Sequence, residues 1–277
     1  MRYHFGMRAL NRPTSWWGWN WDPPIPMSIT ELIAAGNMDS RVAALFWVAM
    51  ERGASLIVAA DPPHSGKTTT VSALLSFTRP ETAVYFTRGE GEPFALPAPS
   101  PSFDTYILVN EMSDHIPVYT WDDNARRVFE GLAEGYRLAT TMHDTTVEGV
   151  LVQLERDLSI PQAHLAHLTF VVPMFIGQLN GRLVRRIEEI VFVQPKGNAY
   201  TLTRIVDWDR ESDTFSMFSD DAARQAFAGW AKLSSDALDE QIKERAGFLD
   251  ALRNTGANSP QDVGAAIESY YEQMLRA

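Results

Sequence analysis

The chain has 277 residues, 45% of them hydrophobic and 21% charged, the proportions of a folded globular protein and not of a disordered one. Its 24 basic and 35 acidic side chains leave a formal net charge of −11, which argues against a surface whose main partner is nucleic acid. The sequence contains no cysteine, so disulfides and cysteine-ligated zinc are excluded. With no apolar run of about 18 residues and no apolar leader behind the first arginines, a cytoplasmic protein is expected, peripheral to a membrane only through a partner.

Residues 1–27 form an expected N-terminal arm, in which Trp16, Trp17, Trp19 and Trp21 alternate irregularly with Pro23, Pro24 and Pro26 and no helix or strand period can run. Such an arm can pack its indoles on its own domain, dock on a partner or neighbouring subunit, or stack on nucleobases. A core over residues 28–215 follows. Ser28 and Glu31 read as a capping box opening a short helix that ends at Gly36, and a second helix begins at Asp39 or Ser40 with Val42, Leu45, Phe46 and Ala49 on one face.

The apolar run Leu56 to Ala60 then enters a short loop and leaves it as a helix carrying Val71, Leu74 and Leu75. The loop Asp61-Pro62-Pro63-His64-Ser65-Gly66-Lys67-Thr68-Thr69 matches the phosphate-binding pattern GxxxxGK[ST] except that Asp61 stands in the first glycine position, where a tight and left-handed backbone is expected. In such a loop backbone N–H groups and the helix N-terminus surround phosphates. Lys67 is the candidate to neutralise them, and Thr68 the candidate ligand for Mg²⁺.

Further on, 83–86 reads as a strand and 87–102 as a linker that Pro93, Pro97, Pro99 and Pro101 keep out of helix. A strand over 106–111 ends in Glu111, a helix over 121–134 ends at Gly135, a strand over 138–143 ends in His143, and a helix covers 146–157. This alternation implies a mainly parallel sheet with helices on both faces, whose carboxyl edge would carry the loop at Asp61, Glu111 and His143. From 169 the pattern changes to strands over 169–172, 187–193 and 199–208, with a hairpin turn at 195–198. Residues 216–277 are expected to be helical, with Leu238, Ile242, Leu249 and Leu252 on one helix and Val263, Ile267, Tyr270 and Met274 facing one way on the last.

Glu111, leaving a buried strand beside the phosphates, is a candidate to hold Mg²⁺ or polarise the attacking water; such a residue standing alone is more often a solvated loop carboxylate. His143 alone would be a loop histidine bonded to a neighbouring strand. No pair of the six histidines has the spacing of a zinc site: His164 and His167 are three apart but no acidic third ligand follows. Asp122 and Asp123 are expected to cap the helix they precede.

The ordered set of P-loop, Asn110-Glu111-Met112-Ser113-Asp114 and Thr141-Met142-His143 resembles the secretion traffic ATPase superfamily: type II and type IV secretion ATPases, type IV pilus motors and the archaellum motor. The second segment is similar to the family's glycine-glutamate-x-arginine-aspartate Walker B, and the third to its threonine-leucine-histidine box. Ser28 to Gly36 resembles the lead into the motor domain, and Leu238 to Tyr271 the C-terminal helices of the archaeal and tight-adherence-pilus branch, so the likeness covers about residues 28 to 275. Asp61 and His64 replace two P-loop glycines, and Asn110 and Ser113 the Walker B glycine and arginine. In the proline-rich linker only Arg88, Glu90 and Glu92 could stand in for the family's acidic and arginine-bearing segment. The family's N-terminal domain, which helps close the nucleotide site, is replaced by the tryptophan-rich arm.

The resemblance implies a RecA-like P-loop ATPase core with a β-hairpin region and a C-terminal helical region. Its cofactors are ATP and Mg²⁺, bound through Lys67, Thr68 and Glu111, with His143 sensing the γ-phosphate. It implies a homo-oligomeric ring, a hexamer, that pushes on a polytopic inner-membrane platform protein. The competing reading is a degenerate, non-hydrolysing paralogue with a structural or regulatory role; a kinase or transferase on the same loop lacks a recognisable second-substrate lid.

Overall fold

The structure, a computed structural model, describes residues 7–13 and 27–274. The tryptophan-rich stretch, and with it every reading of Trp16, Trp17, Trp19 and Trp21, lies outside the described residues.

Among the described residues the first element is a two-residue strand, β1 (Arg8–Ala9), whose pairing with a later strand the sequence does not announce. Ser28 caps α1 (Ile29–Ala34): its Oγ accepts from the Glu31 amide at 3.2 Å while the Glu31 carboxylate accepts from the Ser28 amide at 2.8 Å, the reciprocal box that the sequence predicts. Asp39 caps α2 (Ser40–Glu51) by accepting from the Val42 amide at 2.8 Å. Then come β2 (Leu56–Ala59), α3 (Lys67–Leu74) and β3 (Ala83–Phe86), all where expected.

β4 (Thr105–Leu108) stops short of Glu111, contrary to the expected strand. The reason lies in the backbone: the Glu111 carbonyl accepts from the Thr120 amide at 2.9 Å, so it is drawn into the following loop instead of the ladder. α4 (Asp122–Glu134) has Trp121 at its cap position, so Asp122 and Asp123 sit in its first turn, beside the positive end of the helix, and do not cap it. β5 (Arg137–Met142) leaves His143 just beyond its end. α5 (Val147–Val152) runs into a single π-helical stretch at Gln153–Asp157, and a short helix α6 (Gln162–Leu165) follows.

The second half holds more strand than expected. β6 (Phe170–Leu179) turns back as β7 (Arg182–Ile187), and β8 (Glu189–Lys196) pairs with β9 (Ala199–Asp209) through the predicted hairpin, Lys196 opposite Ala199. The single expected strand over 187–193 is thus the end of one strand and the start of another. β10 (Thr214–Met217) adds a last antiparallel strand. α7 (Asp221–Trp230), α8 (Ser235–Asn254) and α9 (Pro260–Met274) end the chain. On α9 the buried residues are Val263, Ile267 and Tyr271, while Met274 is 46% exposed, so the apolar face ends one turn before the expected one.

Among the described residues ten strands form the sheet, in the order β1-β3-β4-β5-β2-β6-β8-β9-β10, with β7 paired to β6. The strands from β1 through β6 run parallel; β7 to β10 are antiparallel. Side chains alternate across β2: Leu56 and Val58 enter a core shared with α2, α3, α8 and α9, while Ile57 and Ala59 enter another with α4 and α5. A parallel sheet buried on both faces explains why these strands read as unbroken apolar runs. The architecture is an α/β fold with a mainly parallel sheet and an antiparallel wing.

The helical side closes on Trp47, which stacks on Phe77 at 5.0 Å and donates through Nε1 to the Tyr271 hydroxyl at 2.9 Å; that hydroxyl donates in turn to the Phe77 carbonyl at 2.7 Å. Beside it the buried Glu51 carboxylate takes a hydrogen bond from the buried Arg245 guanidinium and another, at 3.2 Å, from Arg52.

Candidate phosphate-binding site

Parallel pairing of β2 and β4 with β5 brings the carboxyl ends of three strands to one edge, so the loop after β2, Glu111 and His143 lie together. The left-handed turns of the loop fall at His64 (φ 60) and Gly66 (φ 96); Asp61 is not among the described residues with that backbone. The strain expected at Asp61 is therefore carried by His64, at roughly 1–2 kcal/mol for a residue with a Cβ. Gly66 allows the chain to enter α3, whose first-turn amides have no partner inside the helix. Asp61, Pro62, Pro63 and His64 are exposed, Ser65 and Lys67 buried, and Thr68 and Thr69 half-buried.

The Lys67 ammonium donates to the Ala60 carbonyl at 2.7 Å, the last carbonyl before the loop. Burial pushes it below the usual lysine range, and the nearby Glu111 and Asp61 carboxylates oppose that shift. One carbonyl satisfies one of its three N–H groups, which leaves donors for phosphate oxygens. Glu111 is buried; its Oε1 lies 2.9 Å from His143 Nε2 and accepts from Ser113 Oγ at 3.2 Å. The other ring nitrogen of His143, Nδ1, donates to the Asp61 carbonyl at 3.0 Å, so the histidine ties the start of the loop to the carboxylate. Gln153 Nε2 fixes the segment behind it, donating to the His143 carbonyl at 2.8 Å and to Asp144 Oδ2 at 3.0 Å.

Two residues were missed by the sequence reading. Arg185, on β7, donates through Nε to the His64 carbonyl at 2.8 Å and reaches along Gly66, where an added Cβ would stand 3.3 Å from its Cδ. His115 stacks obliquely on His143 with ring centres 4.9 Å apart and joins Glu111 and His143 in a group whose donor atoms all lie within 4.8 Å of one another. Glu111 and His115 share the loop after β4, and only the fold brings His143, beyond the end of β5, beside them. Glu92, by contrast, is committed elsewhere: it accepts from the Tyr85 hydroxyl at 2.5 Å and from the amides of Arg88 and Phe94 at 2.7 Å each, which organises the proline-rich loop. Burial and that bond push the Tyr85 hydroxyl up to about 12.

The residues fit a Mg²⁺–nucleotide on chemical grounds: the left-handed Gly66 opens unpaired helix amides, Lys67 and Arg185 supply cationic donors, and Thr68 and Glu111 are the hard oxygen donors that Mg²⁺ prefers. Among the described residues no helix is long and apolar enough to cross a membrane.

No protein-family model matches the chain. It is similar to two uncharacterized proteins of Methanocaldococcus jannaschii. It is 24% identical to MJ0900 over 282 residues, which cover 91% of this chain and 45% of that protein, so the chain spans less than half of that relative. It is 26% identical to MJ1287 over 269 residues, 86% of this chain and 96% of that protein. Among solved structures it is similar to the VirB11 ATPase of the Brucella suis type IV secretion system, solved with sulphate, at 17% identity and TM-score 0.38 over 58% of this chain and 54% of that one. It is also similar to the Legionella pneumophila ATPase DotB, at 8% identity and TM-score 0.36 over 87% of this chain and 58% of that one.

Proposed function

We propose that the chain binds ATP with Mg²⁺ at the loop between β2 and α3 and hydrolyses it, as the motor subunit of a machine like the type II/IV secretion and type IV pilus systems. The observation that carries this reading is the convergence of buried Lys67 and Glu111 with half-buried His143 on the edge beside Gly66. Lys67 would leave the Ala60 carbonyl to neutralise the β- and γ-phosphates, and Arg185 would add charge from the other side. Thr68 and Glu111 would hold Mg²⁺, which draws charge off the transferring phosphoryl oxygens. Glu111 would also orient the attacking water, and His143, sharing contacts with Asp61 and Glu111, would report whether the γ-phosphate is in place. A ring of copies acting on a polytopic membrane protein belongs to the same proposal.

A second reading, a non-hydrolysing structural or regulatory subunit, is favoured by the engagement of Glu111 Oε1 by His143 and by the strained His64. Calorimetry and turnover separate the two. Under the motor reading Lys67→Ala loses Mg²⁺-ATP binding, while Glu111→Gln keeps binding and loses turnover. Equal ATP affinity of wild type and Lys67→Ala would remove the site altogether. Binding without turnover in the wild type, with membrane partners present, would leave the second reading.

A further inference from the structure

We infer that Glu111, His115 and His143 form a binding site for a divalent transition metal of the zinc class, distinct in chemistry from the Mg²⁺ site of the nucleotide reading and independent of nucleotide.

The three donor atoms lie within 4.8 Å of one another. Metal–ligand bonds of about 2.0–2.1 Å in tetrahedral array place donors about 3.4 Å apart, so small side-chain rotations complete the set. The pair Glu111 Oε1 and His143 Nε2 is already at 2.9 Å. His143 faces an acceptor at each ring nitrogen: the Asp61 carbonyl at Nδ1 and the Glu111 carboxylate at Nε2. A neutral imidazole has one N–H. With that proton on Nδ1 and bound to the carbonyl, the Nε2 lone pair points at the carboxylate, and a cation shared by the two satisfies both. A ring N–H held by a backbone carbonyl, with the opposite nitrogen on the metal, is the usual outer support of a histidine ligand. Ser113 Oγ steadies the carboxylate in the same way by donating to it at 3.2 Å.

His115 is exposed and His143 half-buried, so solvent reaches the group from the side of the two imidazoles. Two imidazoles and one carboxylate select zinc, cobalt, nickel or iron(II) over Mg²⁺ and Ca²⁺, which favour all-oxygen sets.

The test is a titration of the nucleotide-free protein with Co²⁺, followed by its visible absorption, then displacement by Zn²⁺. The expected result is one Co²⁺ per chain with the intense bands of four- or five-coordinate metal, and His115→Ala weakening the binding by at least about tenfold. Because His115 is exposed, its removal leaves the thermal unfolding midpoint in place, which is checked on the same sample. A wild type that binds no Co²⁺ or Zn²⁺ stoichiometrically, or a His115→Ala variant that binds as tightly as wild type, overturns the inference. No nucleotide is present, so failure of ATP binding leaves this result standing.

Discussion

Two carboxylates in this molecule are almost equally buried, Glu51 at 8% exposure on the helical side and Glu111 at 7% on the loop edge, yet their partners differ in kind. Glu51 is held by Arg245 and Arg52, with Arg79 at 3.8 Å, and arginine keeps its charge at any pH at which a protein stays folded. Glu111 is held by a histidine and a serine hydroxyl, weaker partners that other ligands can replace. The comparison separates a charge fixed between two helices by arginines from a charge whose partners, a histidine and a hydroxyl, leave it open to exchange.

The largest effect expected from breaking the comparison is at Arg245. Arg245→Ala leaves Glu51 under α8 with only Arg52 and the distant Arg79, and removes a guanidinium that lies 5.7 Å from the Trp47 ring and 5.9 Å from that of Tyr270. A loss of about 3 kcal/mol is expected in urea unfolding followed by tryptophan fluorescence. A loss under about 1 kcal/mol would mean that the seam does not depend on the pair.

Next comes Asp61→Gly, which should tighten ATP without changing the fold. Asp61 acts electrostatically on Lys67, the residue proposed to neutralise the phosphates. At an effective dielectric near 20, two unit charges about 8 Å apart repel by roughly 2 kcal/mol, more than tenfold in affinity when unscreened. The gain should shrink as salt is raised; unchanged or weaker binding at low salt defeats the idea. The smallest expected effect is on stability in Glu111→Gln: the amide keeps an oxygen for Ser113, so unfolding should shift by no more than about 1 kcal/mol. A loss comparable to that of Arg245→Ala would make Glu111 a structural charge and erase the contrast.

Much of the parallel half was legible because its signals are local. The Ser28–Glu31 box, the apolar run into Asp61 and the Gly66-Lys67-Thr68 entry to α3 each depend on neighbours within a few residues. β7 escaped because Arg182, Arg185 and Arg186 break any apolar alternation; its place is set by pairing with β6 across a turn at Asn180 and Gly181, both with positive φ. With β7 went Arg185. His115 escaped for a related reason: the loop that carries it is pinned by Met112, bridged to Met142 on one side and Thr120 on the other, contacts that no spacing rule encodes. Met274 was expected inside because its spacing from Ile267 suits a helix, but α9 has by then run past the core that buries Tyr271.

Arg185 and Arg186 are consecutive, and strand geometry sends them to opposite sides. The first donates to the His64 carbonyl in the loop between β2 and α3; the second is buried and forks onto both carboxylate oxygens of Asp213, at 2.8 and 2.9 Å, in the turn between β9 and β10. That fork draws the Asp213 carboxyl below the usual carboxylate range. A single peptide bond therefore joins the loop to the far turn of the antiparallel wing. Neighbouring residues of one strand thus anchor two segments that are far apart in the sequence, the loop at His64 and the turn at Asp213.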